Sequence, residues 1–196
     1  SSAVAASSSR EGATTTSLTT TIGWRWLTQP ANASAASAVN ARLAGSAEEA
    51  KMDERVLEVL RATQQALGRM LFVNARIAVG GLNPHASEGG LFGDEEARII
   101  APAIEAAQRE GIAAHGPFGA DTLLQHPGYD AYVVMLHDQG HVAAKLLAPH
   151  GVAGLTIGTP VLFSSVGHGA ALDIAGQGRA QHGAMVEAVT RLVGQP

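Results

Sequence analysis

His137, Asp138, His141 and Lys145 fall within one short stretch, LHDQGHVAAK, and between them could hold a cation, fix an anion and move a proton. Imidazole nitrogens and carboxylate oxygens are the metal donors open to a chain without cysteine. If residues 140–147 are helical, His137, His141 and Lys145 stand at i, i+4 and i+8 on one face. A second histidine-bearing turn, NPHASEGG over residues 83–90, brings His85, Ser87 and Glu88. The same residues also fit solvated loops of an ordinary α/β protein. HDQGH shares its histidine spacing with the HExxH zinc-hydrolase helix, but Asp138 stands where the catalytic Glu belongs and Gly140 weakens the helix.

Strands must deliver these side chains. Residues 132–136, YVVML, form a continuous apolar run of the kind found in parallel strands buried on both faces, so the HDQGH turn lies at a strand's carboxyl end. Residues 75–82, ARIAVGGL, repeat the arrangement before NPHASEGG. Ahead of them, Ser46 and Glu49 make a capping box for an amphipathic helix over about 47–70, with Val56, Leu60, Leu67 and Met70 on one face. Asp94 is the expected N-cap of a helix running to about residue 110, with Pro102 either kinking it or starting a second piece. A short strand near Ile112 leads to HGPFGADTLL, which carries Asp121 and Thr122. Strands near 154–158 and 161–164, a glycine-rich turn over 167–180 and a helix over about 180–193 complete an α/β pattern.

Residues 1–46 differ in kind. Ser, Thr and Ala supply 27 of them without a sustained period, so this low-complexity segment is expected to be irregular or non-native, with the α/β portion beginning at residue 47. The first residue is Ser, which fits a fragment or a processed chain. Over the whole chain 46% of residues are hydrophobic and 15% charged, with a net charge of -4. That balance fits a globular protein and gives no electrostatic case for nucleic acid or an anionic membrane. No run approaches membrane-spanning length and no signal peptide is evident, so a cytoplasmic setting is expected.

NPHASEGGLFG, GADT, MLHDQGH with Lys145 eight residues after His137, and SSVGHGAALDIAG together resemble the 4-hydroxythreonine-4-phosphate dehydrogenase family of pyridoxine biosynthesis, over residues 52–196. LNPHASEG, LHDQGH, KLLAP and FSSVGHG further resemble one branch of it, the terephthalate cis-dihydrodiol dehydrogenases of aromatic catabolism. The resemblance implies a three-layer α/β/α fold like that of isocitrate and isopropylmalate dehydrogenases, with the N-terminal part truncated or replaced. It also implies a homodimer sharing its active site. His85 and His137 match two of three histidines that hold a divalent metal, expected to be zinc, and Lys145 matches a lysine that contacts the substrate's anionic group. The third metal histidine and a His-Thr substrate pair belong to upstream family segments, and no histidine precedes His85 here. HGAALDIAGQG, with His168, Gly169, Asp173 and Gly176, looks like the loop that holds the adenosine part of NAD (or NADP).

What the resemblance implies chemically is oxidation of a secondary alcohol β to a carboxylate, followed by loss of carbon dioxide, with Asp138 relaying a proton or orienting a histidine. Glu88 is the expected partner orienting His85. Phe163 stands where the family usually places a substrate Arg and Gly154 where it places Asn, which favours a cyclic dihydrodiol carboxylate. The phosphorylated hydroxythreonine is the alternative substrate, and an inactive fragment of such an enzyme a third reading.

Overall fold

The computed structural model describes residues 38–40, 52–70, 72–148, 152–157 and 163–193. Its core is a parallel sheet in the order β1-β4-β2-β3, formed by Ala38–Asn40 (β1), Arg76–Gly80 (β2), Ala113–Phe118 (β3) and Ala131–Val134 (β4). Helix α1, Met52–Arg69, and helix α2, Ala101–Arg109, cover one face. Period-two alternation explains the layering. Ile77, Val79, Val133 and Met135 meet Val56, Val59, Leu60 and Ile104, while Ala78 and Val134 pack with Leu123 in a separate cluster edged by Phe118, Tyr129 and Tyr132. Helix α3, His137–Leu147, follows β4 directly. Beyond it, Ala153–Thr156 (β5) and Phe163–Val166 (β6) pair antiparallel, and helix α4, Gly183–Leu192, packs on them through Ala184 and Ala188.

Three expectations need correction. Within the segment 1–46, Ala38–Asn40 form an edge strand in register with residues 132–134, because the open edge of β4 offers unpaired backbone groups that Val39 opposite Val133 can satisfy. The rest of that segment, the Ser46 cap and Pro160 lie outside the described residues. Asp94 does not cap with its side chain. A π-turn, Glu96–Ile100, begins there instead, Asp94 pairs with Arg98, and Pro102 sits in the first turn of α2. Helix α3 starts at His137 rather than residue 140, so both histidines of HDQGH are helical.

Among the described residues no helix is long and apolar enough to cross a membrane. The outer face of α4 is nevertheless apolar, with Met185, Val186, Val189 and Val193 all exposed. Ile77 is fully buried at the centre of the sheet, and Leu146 on α3 is 78% exposed. Ile77→Ala should therefore cost about 2–5 kcal/mol in urea denaturation, whereas Leu146→Ala should stay within about 0.5 kcal/mol of the parent.

Candidate active site at the carboxyl ends of three parallel strands

Three parallel strands end side by side, and each delivers at least one polar residue to a common cleft of about 360 Å³. Beyond β2 come Leu82, Asn83, Pro84 and His85, beyond β3 come Ala120 and Asp121, and the first turn of α3 adds Gln139. Open α/β sheets bind their ligands at such edges.

The β2 corner is built on a buried carboxylate. Glu96 is 3% exposed, yet its Oε1 accepts hydrogen bonds from the Leu82 and Asn83 backbone N–H groups at 2.8 and 2.7 Å, and its Oε2 accepts one from the Asn83 amide at 2.9 Å. Glu95 accepts from the same Asn83 amide at 2.7 Å. Burial alone raises a carboxyl's pKa, but the donors from Asn83 and Leu82 outweigh it and leave Glu96 below the usual carboxylate value. Gly81 makes the approach possible, since a Cβ there would lie 2.9 Å from Glu96 Oε1 and 3.0 Å from the Ala86 Cα.

After Pro84 the backbone turns left-handed. His85, Ala86, Ser87, Glu88 and Gly89 have φ of 55°, 52°, 64°, 46° and 72°. Four of these are not glycine, and each costs about 1–2 kcal/mol in that region. The three charge-assisted hydrogen bonds on Glu96, at about 1.5–3 kcal/mol each, are of the size needed to offset that strain. The turn carries His85 into the cleft with its ring tilted toward Phe92, centroids 6.2 Å apart. Glu88 is exposed and makes no hydrogen bond to His85, so the expected orienting partner is not there. From β3, the loop holding Asp121 is braced by Thr122, whose hydroxyl donates to the Gly119 carbonyl at 3.2 Å.

At β4, Gln139 closes the site. Its Oε1 accepts from the Met135 and Leu136 N–H groups at 3.0 and 2.9 Å, and its Nε2 donates to the Gly81 carbonyl at 3.2 Å, so one amide ties the β4 end to the β2 end. His137 and His141 lie on one helix face as the spacing required, with rings stacked 4.0 Å apart and 4° from parallel. Burial, then the nearby charges of His137 and Lys145, depress the His141 pKa, with Asp138 opposing them. His141 is thus held toward the neutral imidazole, the form that ligates metals or accepts protons. His137 Nδ1 and Asp138 Oδ1 are 2.9 Å apart on the exposed side of the helix.

The expected site residues therefore separate into three places. His85 lines the cleft, His137, Asp138, His141 and Lys145 occupy the neighbouring turns of α3, and His168, Gly169, Asp173 and Gly176 lie in the exposed turn after β6. In that turn His168 Nδ1 approaches the Gly169 carbonyl at 2.9 Å, and Gly176 has φ of 73°. Among the described residues no three of His, Asp and Glu converge as a metal centre. Sequence reasoning missed Asp121, Gln139 and Glu96 as site residues. Gln139 had a signal, since a Gln three residues after a helix start is half a capping box, hidden here because Leu136 fills the N-cap position.

A parallel α/β sheet with a polar cleft at its strand ends defines the class of α/β proteins that bind small molecules. The chain belongs to the family of the pyridoxal phosphate biosynthetic protein PdxA, whose model matches residues 45–192. It is 46% identical over 151 residues to the 1,2-dihydroxy-3,5-cyclohexadiene-1,4-dicarboxylate dehydrogenase of Comamonas sp, covering 77% of this chain and 48% of that protein. It is 52% identical over 139 residues to the 4-hydroxythreonine-4-phosphate dehydrogenase of Geobacter metallireducens, covering 69% of this chain and 41% of that protein. Among solved structures, 4-hydroxythreonine-4-phosphate dehydrogenase from Klebsiella pneumoniae superposes with a TM-score of 0.65 at 33% identity, covering 91% of this chain and 53% of that one. The terephthalate 1,2-cis-dihydrodiol dehydrogenase of Burkholderia xenovorans LB400 gives 0.64 at 39% identity, over 81% of this chain and 52% of that one. The chain spans about half the length of these relatives.

Two outcomes follow from this geometry. Gln139→Leu strands the Met135 and Leu136 N–H groups and should cost about 1–3 kcal/mol in denaturant unfolding. For Glu96 the folded pKa is lowered, so its stabilisation is complete above the unfolded carboxyl value and is lost as pH falls through the folded one. The stability gap between the parent and Glu96→Gln should accordingly narrow as pH falls below the ordinary carboxyl value of about 4.3, read from denaturation midpoints.

Proposed function

We propose that the chain is the metal- and NAD-binding part of a dehydrogenase that oxidises the secondary alcohol of 4-phosphohydroxythreonine, β to its carboxylate, with loss of carbon dioxide from the keto acid formed. The observation that carries this reading is the convergence of His85, Asp121 and Gln139 in one cleft at three parallel strand ends. The cleft lies within the segment matched by the family, and the higher identity of the two relatives is to the phosphohydroxythreonine enzyme.

In this reading His85 and His137 are the chain's metal donors, and the carboxylate of Asp121, which lines the cleft with His85, accepts the alcohol proton. Lys145, whose charge is felt by His141, fixes the substrate's anionic group. Asp138 orients His137 or relays a proton, being 2.9 Å from its Nδ1. The turn bearing His168, Gly169, Asp173 and Gly176 receives the adenosine part of the nicotinamide cofactor. Imidazole and carboxylate donors of this kind suit zinc, but the described residues alone do not complete a set of three. The proposed remaining donors lie outside them, on a second copy of the chain in a homodimer or in the part of the relatives' length that this chain does not span. When bound, zinc supplies Lewis acidity at the alcohol oxygen and NAD (or NADP) accepts the hydride. What the chain itself contributes is placement, since Glu96 and Gln139 hold the backbone from which the cleft residues project.

Phe163 favours a second reading. It is 61% exposed on β6, where the family's phosphate-binding Arg is usual, and an apolar ring there suits a cyclic cis-dihydrodiol carboxylate. A lost charge-assisted hydrogen bond is worth about 1.5–3 kcal/mol, roughly 10- to 150-fold in binding, so substrate choice is measurable. NADH formation with each substrate under zinc tests both readings. Turnover is expected to favour the phosphorylated substrate, to rise at low substrate in Phe163→Arg, and to fall at least about 100-fold in His85→Ala. Tenfold preference for the dihydrodiol moves the assignment to that branch, and turnover of neither marks an inactive fragment.

A further inference from the structure

We propose that Glu96 is a positioning residue for His85, acting through Asn83 on the left-handed turn that carries the histidine. The proposal rests on the reading that His85 works in the cleft. Glu96 is placed as a support rather than as a reactant. It is 3% exposed, it is not one of the residues lining the cleft, and its hydrogen bonds go to the two residues immediately before Pro84.

The chemistry of the contact calls for a charge. Asn83 Nδ2 stands between two carboxylates, Glu95 Oε2 at 2.7 Å and Glu96 Oε2 at 2.9 Å, while Glu96 Oε1 takes two backbone N–H groups. Four donor contacts therefore meet acceptor-only groups. A glutamine at 96 has the same shape, but with its oxygen on the backbone its amide nitrogen faces the Asn83 amide, donor against donor. Flipping Asn83 repairs that contact and turns the Asn83 oxygen onto Glu95. No arrangement of a neutral side chain satisfies all four contacts. The residue that loses its hold is Asn83, whose carbonyl accepts the first hydrogen bond of the turn, from Ala86 N–H at 3.2 Å.

The packing supports the same conclusion. A Cβ on Gly81 would touch both Glu96 Oε1 and the Ala86 Cα, so carboxylate, strand end and turn press on one point. The turn cannot relax by itself, because His85, Ala86, Ser87 and Glu88 all hold a conformation that L-residues leave when unconstrained.

The test uses the 196-residue chain with Glu96→Gln, Glu96→Asp and Asn83→Ala, read by amide hydrogen exchange and by calorimetric titration with zinc ions alone. In Glu96→Gln, exchange across residues 82–92 should rise at least about tenfold more than it does in α1 and β4. Zinc affinity should fall about tenfold toward that of His85→Ala, with Glu96→Asp restoring part of both. Unchanged exchange in the turn overturns the proposal, and so does an equal rise in turn and core, which is the mark of a merely structural residue. If Glu96→Gln fails to fold, Asn83→Ala decides, since it leaves the carboxylate its backbone donors and removes only the amide bridge. A parent chain that binds no zinc defeats the metal reading of His85, while the exchange comparison still settles the role of Glu96.

Discussion

Where a parallel strand ends, its last N–H groups lose their neighbour in the sheet, and burying them unpaired is costly. Two side chains answer that constraint here. Glu96 takes the N–H groups of Leu82 and Asn83 beyond β2, and Gln139 takes those of Met135 and Leu136 beyond β4. Because Gln139 also donates to the Gly81 carbonyl, the two strand ends are held to each other as well as to their caps. The cleft exists because both ends stay open toward the ligand edge while their backbone is satisfied from the side.

The two caps differ in a way that fits what each supports. Gln139 is neutral, has both a donor and an acceptor, and bridges two segments of ordinary conformation. Glu96 is acceptor-only, and the segment it holds leads into four consecutive strained residues. Strain at a site persists only where its surroundings over-determine it. A buried anion with three donors is the stronger of the two devices, and it stands beside the stronger demand.

The large elements were legible because burial writes a period into the sequence. The apolar face of α1, most of the apolar run 132–136 and the histidine spacing of α3 are each found in the fold, with Leu136 alone of that run turned to solvent. The corner at Asn83 left no such mark. The four residues His85 to Glu88 that turn left-handed are themselves neither glycine nor asparagine, although Asn83 and Gly89 flank them, and a Glu in a first helical turn ordinarily answers the helix dipole rather than a strand end. Asp121 was visible within GADT but had no partner in sequence. Only the pairing of β2 with both β3 and β4 brings it to the cleft that His85 lines.

HDQGH shows how one short motif divides its labour once folded. Gln139 and the buried Gly140 turn inward, the first as a clamp between two strand ends. His137 and Asp138 remain exposed as a pair, and His141 stacks beneath His137 with its imidazole biased toward neutrality. Solvated loop residues have no reason to stack in parallel at 4.0 Å, nor to follow a side chain that ties two strands together. A helix start fixed by Gln139 fixes the Cα–Cβ direction of His137, and its stacking on His141 restricts the ring further. The inward half of the motif thus supplies the rigidity on which the outward half depends.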